Sequence, residues 1–223
     1  MPELPDDAPT LGRRERRKLA DRRRLLAAAR SIIAENGEAN LRISELTERA
    51  DIGFGTFYSH FESKEALVKA LLAEVLTSIS AVIGIRATEI EDPAEAASFA
   101  YRRYLRYAQE EPELAGVLIS LADADMFEQA MLPYARQILE RGRASGRFLI
   151  DDLDLCQICI AASALATIKA ILTGRAGPDA DATGAELMLR SYGVDVATAR
   201  EIAHRELPEL DLRAGEPAAS PAP

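Results

Sequence analysis

The chain has 223 residues, a net charge of −9, 48% hydrophobic and 28% charged side chains, two cysteines and no tryptophan. That length can enclose a sizeable core, the balance is that of an ordinary globular protein, and two cysteines are too few for a disulfide framework. Met1–Pro9 is acidic and proline-rich with no apolar stretch behind it, and no membrane-length apolar run is read, so a cytoplasmic protein without membrane association is expected. Ala, Leu, Glu and Arg dominate and period-two alternation is missing, which predicts an all-α fold.

In chain order, Met1–Thr10 holds three prolines and is expected to be disordered, and Leu11–Ala20 continues it as a basic arm. From Leu11 to Arg30, nine cations (Arg13, Arg14, Arg16, Arg17, Lys18, Arg22, Arg23, Arg24, Arg30) stand against Glu15 and Asp21, a local +7. Phosphate attraction is therefore placed at one end of an otherwise acidic chain. The basic run reads either as a solvated extension or as an arm tracking DNA phosphates or the minor groove.

Leu25, Ala28, Ala29, Ile32 and Ile33 recur at helical steps and Asn36-Gly37 ends that helix. Ile43, Leu46 and Ala50 repeat the pattern, and Ala50-Asp51-Ile52-Gly53 admits a tight turn because Asp51 tolerates the left-handed region. Phe54–Phe61 is then read as a recognition helix, with Phe57 and Phe61 inward and Thr56, Tyr58 and Ser59 outward. Ser63 caps a fourth helix that continues to about Ile83, closed by Gly84 and the polar run to Asp92-Pro93.

These residues carry a family resemblance. Ala50-Asp51-Ile52-Gly53, Gly55-Thr56-Phe57-Tyr58 and His60-Phe61-Glu62-Ser63-Lys64-Glu65-Ala66-Leu67 resemble the turn, the Gly-Thr-Leu-Tyr step and the His/Tyr-Phe-x-x-Lys-Glu-x-Leu run of the TetR family of bacterial transcription regulators. The resemblance implies a homeodomain-like three-helix head over residues 21–67, an all-helical effector-binding and dimerisation body over 68–207, a disordered basic arm before them (1–20) and a disordered tail after (208–223). Its partners would be double-stranded DNA, a second copy of the chain and a small-molecule effector, with no cofactor or metal. Arg42, Phe54, Gly55, Thr56, Tyr58, Ser59, His60 and Lys64 take DNA-contacting roles by this resemblance. Thr56 and Tyr58 would bond phosphates, while Phe54 and Ser59 face the groove, Phe54 able to meet a thymine methyl. Lys64, in the first turn after Ser63, suits a phosphate. Three positions depart from the family pattern: Arg42 replaces a capping Thr, Asp51 the turn glycine, and Gly53 the Ser that caps the recognition helix.

Beyond Pro93 the expected helices are Pro93 to Glu111, Glu113–Leu121, Met126–Arg141 with a bend at Pro133, the Ala-rich Asp151–Thr173, Thr183–Tyr192 and Val196–Leu207. The resemblance places an effector pocket among the middle helices, with Tyr101, Tyr104, Leu118, Leu121, Phe127, Met131 and Tyr134 as candidates; plain core packing explains each of these as well. A lining of that kind suits a mostly apolar, aromatic or acyl compound. The resemblance also makes Asp151–Thr173 and Thr183–Tyr192 half of a four-helix dimer bundle, with Ala162, Ala166, Leu187 and Met188 as interface candidates.

Cys156-x2-Cys159 lies within an apolar helical pattern with His60 and His204 the only histidines, so packing outranks redox sensing and metal binding. Asp151-Asp152 and Glu110-Glu111 read as solvated helix ends, and no phosphate-binding glycine loop, serine elbow or triad is present, so an enzyme is not expected. The expected function is a repressor on a roughly palindromic operator, released by a small, largely apolar effector. The alternatives are an activator or dual regulator, or an effector-independent architectural DNA-binding module.

Overall fold

A computed structural model describes residues 12–112, 115, 116, 119, 124–210 and 212, the side chains at 34, 38, 124–128 and 132 excepted. Every regular element among them is helical: α1 (Arg13–Asn36), a 3-10 turn (Glu38–Asn40), α2 (Ile43–Arg49), α3 (Phe54–Phe57), α4 (Lys64–Thr88), α5 (Pro93–Glu110), α6 (Ala124–Ala144), α7 (Leu153–Leu172), α8 (Ala180–Ser191) and α9 (Val196–Ala203). The chain divides into two compact units, one ending at Leu71 and one beginning at Leu72.

In the first unit, Leu25, Ala29 and Ile32 of α1 are wholly buried, as are Leu46 of α2, Phe57 of α3 and Leu67 of α4. This is the apolar face that the helical spacing defines, and Gly37 ends α1 with φ +76°. The basic run differs from expectation: it is not a disordered arm to residue 20 but helix from Arg13. Arg, Lys, Leu and Ala are strong helix formers, and Glu15 in the first turn accepts the Gly12 N–H at 3.3 Å. The electrostatic sign there suits the positive end of the helix.

In the second unit α5 is central, packed on α6, α7, α8 and α9. Asp92 caps α5 by accepting from Ala94 N–H at 2.8 Å, with Pro93 in the first turn. Asp152 and Asp195 cap α7 and α9 in the same way. The fourth helix does not stop before Gly84; it runs on to Thr88. Gly84 serves close approach instead, since a Cβ there would lie 2.1 Å from the Tyr134 ring. The stop is supplied by Arg141 of α6, which donates to the carbonyls of Thr88, Ile90 and Glu91 at 3.2, 2.7 and 2.7 Å.

Three arginines of α5 organise its outer side. Arg102 and Arg106 both place Nε on Asp181 Oδ2, at 3.1 and 3.0 Å, and Arg102 and Asp181 are buried. Arg102 also donates to the carbonyl of Arg205 at 2.6 Å, and Arg103 to that of Leu210 at 3.3 Å. A disordered tail from residue 208 is thus corrected for its described part: those two arginines hold the segment after α9, and Leu212 is buried.

The expectation of no membrane-length apolar run is also corrected. α4 and α7 are long and apolar enough, by length and composition, to cross a membrane, each with mean hydropathy 1.9. Alanines and serines among the aliphatic residues make these runs look less apolar than they are. Half of the α4 window lies inside the protein, as expected of a core helix, against 22% of the α7 window.

Candidate nucleic-acid interface

The turn between α2 and α3 is built from backbone bonds. Asp51 takes φ +50°, its N–H reaches the Glu48 carbonyl at 3.1 Å, and Ile52 N–H reaches that of Thr47 at 3.0 Å. These two bonds around a left-handed residue close α2 as a Schellman motif. The carboxylate of Asp51 is solvent-facing, 3.8 Å from Arg24, and Arg24 also donates to the Asp51 carbonyl at 3.2 Å. The charge that departs from the family pattern therefore has a partner, and that pairing was not legible in the sequence.

α3 is shorter than the expected Phe54–Phe61. Its α-helical turn ends at Phe57, after which Ser59 and His60 N–H groups bond three residues back, to Thr56 and Phe57. Ser59 Oγ also donates to the Thr56 carbonyl at 2.7 Å, the local competition that ends helices at serine. Gly53 caps α3 without a side-chain bond, and Arg42 at the start of α2 is exposed and likewise makes no cap bond.

Phe57 and Phe61 are buried with their rings 6.0 Å apart, while Phe54 and Tyr58 stand out at 55% and 52% exposure. Tyr58 packs edge-on to Phe54 at 5.8 Å and to Phe57 at 5.2 Å. Gly55 and Ser59 are exposed and Thr56 is half-buried. His60 is half-buried; burial is the main cause that pulls its pKa below the ordinary value, Asp21 opposing and Lys18 and Arg22 assisting. The Arg22 guanidinium lies 4.5 Å from the centre of the Phe61 ring, so one cation of the basic run is seated on the head's core. Lys64 is half-buried at the start of α4, where Ser63 Oγ accepts Ala66 N–H at 3.1 Å.

The effector candidates separate in the second unit. Tyr104 and Met131 are buried and Tyr134 is half-buried, packed on Gly84. Burial pushes the Tyr104 hydroxyl well above the usual phenol range; wholly buried Ser80 of α4 works the other way, and Tyr134 adds to the rise. Among the described residues, buried Ser80 Oγ meets Tyr104 without standard hydrogen-bond geometry, and buried Ser98 Oγ and Gln157 Nε2 meet no partner of that geometry. Sequence reading missed Ser80; a lone serine on an apolar helix face was its only signal. Tyr101, also buried, faces Gly184 of α8 instead, where a Cβ would lie 2.9 Å from its ring. Leu118 and Leu121 lie outside the described residues, as does the side chain of Phe127.

On α7 and α8, Leu155, Ile158 and Leu187 are exposed large apolar residues, and Cys159, Ala162 and Ala166 are exposed beside them in sequence. Met188 is corrected as an interface candidate: it is buried within the protomer. Adjacent residues on a helix point about 100° apart, and here Leu187 faces outward while Met188 turns inward.

A Schellman-closed α2, a tight turn and a short α3 with an exposed face, following a strongly basic α1, define a helix-turn-helix DNA-binding protein. Residues 25–71 match the family model described as bacterial regulatory proteins, tetR family, and residues 92–205 match that described as the tetracyclin repressor-like C-terminal domain. The chain belongs to the TetR family and is a transcriptional regulator, of a family that is not one of enzymes. RolR, crystallised with resorcinol, is 36% identical to it, with a TM-score of 0.78 over 87% of this chain and 98% of RolR. UidR of Escherichia coli K12 is 42% identical over 53 residues, 24% of this chain; the match spans about a quarter, 27%, of UidR. FadR of Bacillus subtilis, in complex with stearoyl-CoA, is 18% identical with a TM-score of 0.56 over 76% of this chain and 98% of FadR, and shares the fold alone.

Proposed function

We propose that the chain is a cytoplasmic, non-catalytic repressor that binds a roughly palindromic operator as a homodimer and is released by a small, largely apolar hydroxylated aromatic. DNA binding is assigned to residues 21–67, and effector binding with dimerisation to 68–207. The observation that carries the DNA assignment is the exposed set Phe54, Gly55, Tyr58 and Ser59, preceded in sequence by the cations of α1 and followed by Lys64. Two such strips would enter successive major grooves about 34–36 Å apart. Dimerisation rests on the exposed apolar side chains of α7 and α8, which a second copy would cover. The effector class rests on the likeness to RolR and on the grouping of buried Tyr104 and Ser80 with half-buried Tyr134, where a ligand hydroxyl would meet polar atoms among apolar neighbours.

Binding of the purified protein to fragments upstream of its own gene, followed by fluorescence anisotropy at several salt concentrations, tests the operator reading. Tight binding that depends on one palindrome supports it, and uniform, salt-sensitive binding to every fragment counts against it. On the bound fragment, Tyr58→Phe and Lys64→Ala are expected to weaken operator and unrelated DNA alike. Lys64→Ala should also reduce the salt slope by about one. A changed sequence preference without general weakening would contradict their assignment to phosphates.

A further inference from the structure

We infer that this regulator reads its operator through thymine methyl groups, with Phe54 as the specificity-determining side chain, rather than through hydrogen bonds to base edges. The inference rests on the operator reading above and adds what the head recognises in the groove.

Residues 54–60, Phe-Gly-Thr-Phe-Tyr-Ser-His, contain no Arg, Lys, Asn or Gln. Those are the side chains that pair with guanine or adenine through two hydrogen bonds in the major groove. Of the polar groups present, Ser59 Oγ commits its proton to the Thr56 carbonyl. His60 is half-buried beside Asp21, Lys18 and Arg22. Of the two carboxylates that flank the strip in sequence, Asp51 lies next to Arg24 and Glu62 lies past the end of the strip, beyond buried Phe61.

What the strip offers instead is an apolar surface of fixed geometry. Phe54 and Tyr58 are more than half exposed and packed edge to face, and Tyr58 is braced on buried Phe57. Among the described residues of the first unit, the other exposed large apolar side chain is Leu19, on α1. Two aromatic rings held out to water on a folded element gain hydrophobic stabilisation only when a partner covers them. The neighbouring charge selects that partner: the +7 of residues 11–30 is complementary to a phosphate backbone. On base edges in the major groove, the apolar group is the C5-methyl of thymine. Phe54 is the first residue of α3, and residues near the N-terminal end of a recognition helix contact base edges.

The test begins with duplexes selected from a random library by the full-length protein. The selected duplex is then resynthesised with uracil in place of each thymine in turn, which removes one methyl and leaves every hydrogen-bonding group. One thymine per half-site is expected to weaken binding about fourfold when replaced, and both together about 15-fold, the effect of one buried methyl at each site. Phe54→Ala, at an exposed position, should keep the wild-type melting temperature and bind the thymine and uracil duplexes equally; Phe54→Leu should retain part of the difference. Equal binding of all uracil duplexes by the wild type, or a uracil penalty that persists in Phe54→Ala, overturns the methyl reading while operator binding stands. A selection that enriches no sequence instead overturns the operator reading itself.

Discussion

Asp181→Ala is expected to destabilise the second unit by about 3–5 kcal/mol, read as a lowered denaturant midpoint at unchanged slope. The carboxylate has no exposed surface and holds the guanidinium groups of Arg102 and Arg106 at 3.1 and 3.0 Å. Arg102 is buried too, so removing the carboxylate strands a desolvated cation that keeps, among the described residues, the Arg205 carbonyl. Arg106, 38% exposed, can turn to water and should account for less of the loss. The penalty comes mainly from the stranded charge rather than from the lost attraction. Replacing Arg102 as well, as in Asp181→Ala with Arg102→Met, should therefore recover much of it. A loss below about 1 kcal/mol for Asp181→Ala alone would show that water reaches the arginines and that the cluster does not hold α5 to α8.

Ala162→Glu is expected to convert the dimer to a monomer and to lower operator affinity about 100-fold or more. Ala162 is exposed on α7, in the stretch that also exposes Leu155, Ile158 and Ala166. A glutamate there is solvated in the monomer, so folding should be untouched, but it would be buried without a partner in the dimer. Loss of the second head removes the effective-concentration gain of two linked half-sites, which accounts for the affinity change. Sedimentation velocity and the melting temperature read the two effects separately. A dimer that persists at micromolar concentration would move the interface away from this face of α7.

The head was largely legible in the sequence because its determinants are local. Helical spacing gives the buried row Leu25, Ala29 and Ile32, a left-handed turn residue was expected at Asp51, and the inward turn of Phe57 and Phe61 follows from their four-residue step. What escaped depends on partners distant in the chain or on neighbouring helices. Nothing near Arg102 announces a carboxylate 79 residues later, and nothing near Gly84 announces the Tyr134 ring that needs its missing side chain. Gly84 and the polar run to Asp92-Pro93 point to an end after Ile83, yet the helix runs on to Thr88, where Arg141 takes up that carbonyl and those of Ile90 and Glu91. The basic run was read from its charge as an arm, but the helix propensity of its Arg, Lys and Ala residues outweighs like-charge repulsion, which solvent screens. Among the effector candidates, spacing grouped Tyr101 with Tyr104 on one helix; neighbours assign the first to α8 and the second to α4 and α6.

DNA binding and release by a small hydroxylated aromatic can be read in a single titration. The full-length protein is bound to a labelled duplex carrying its palindrome, and resorcinol is titrated in while anisotropy is followed, with benzene-saturated buffer as the control. Saturable release by resorcinol is expected, weakened in Tyr104→Phe, with little release by benzene, because the hydroxyl contacts supply the differential affinity for the DNA-free state. An unchanged anisotropy in resorcinol, with tight operator binding intact, would contradict the effector assignment and leave the protein a DNA binder of different control.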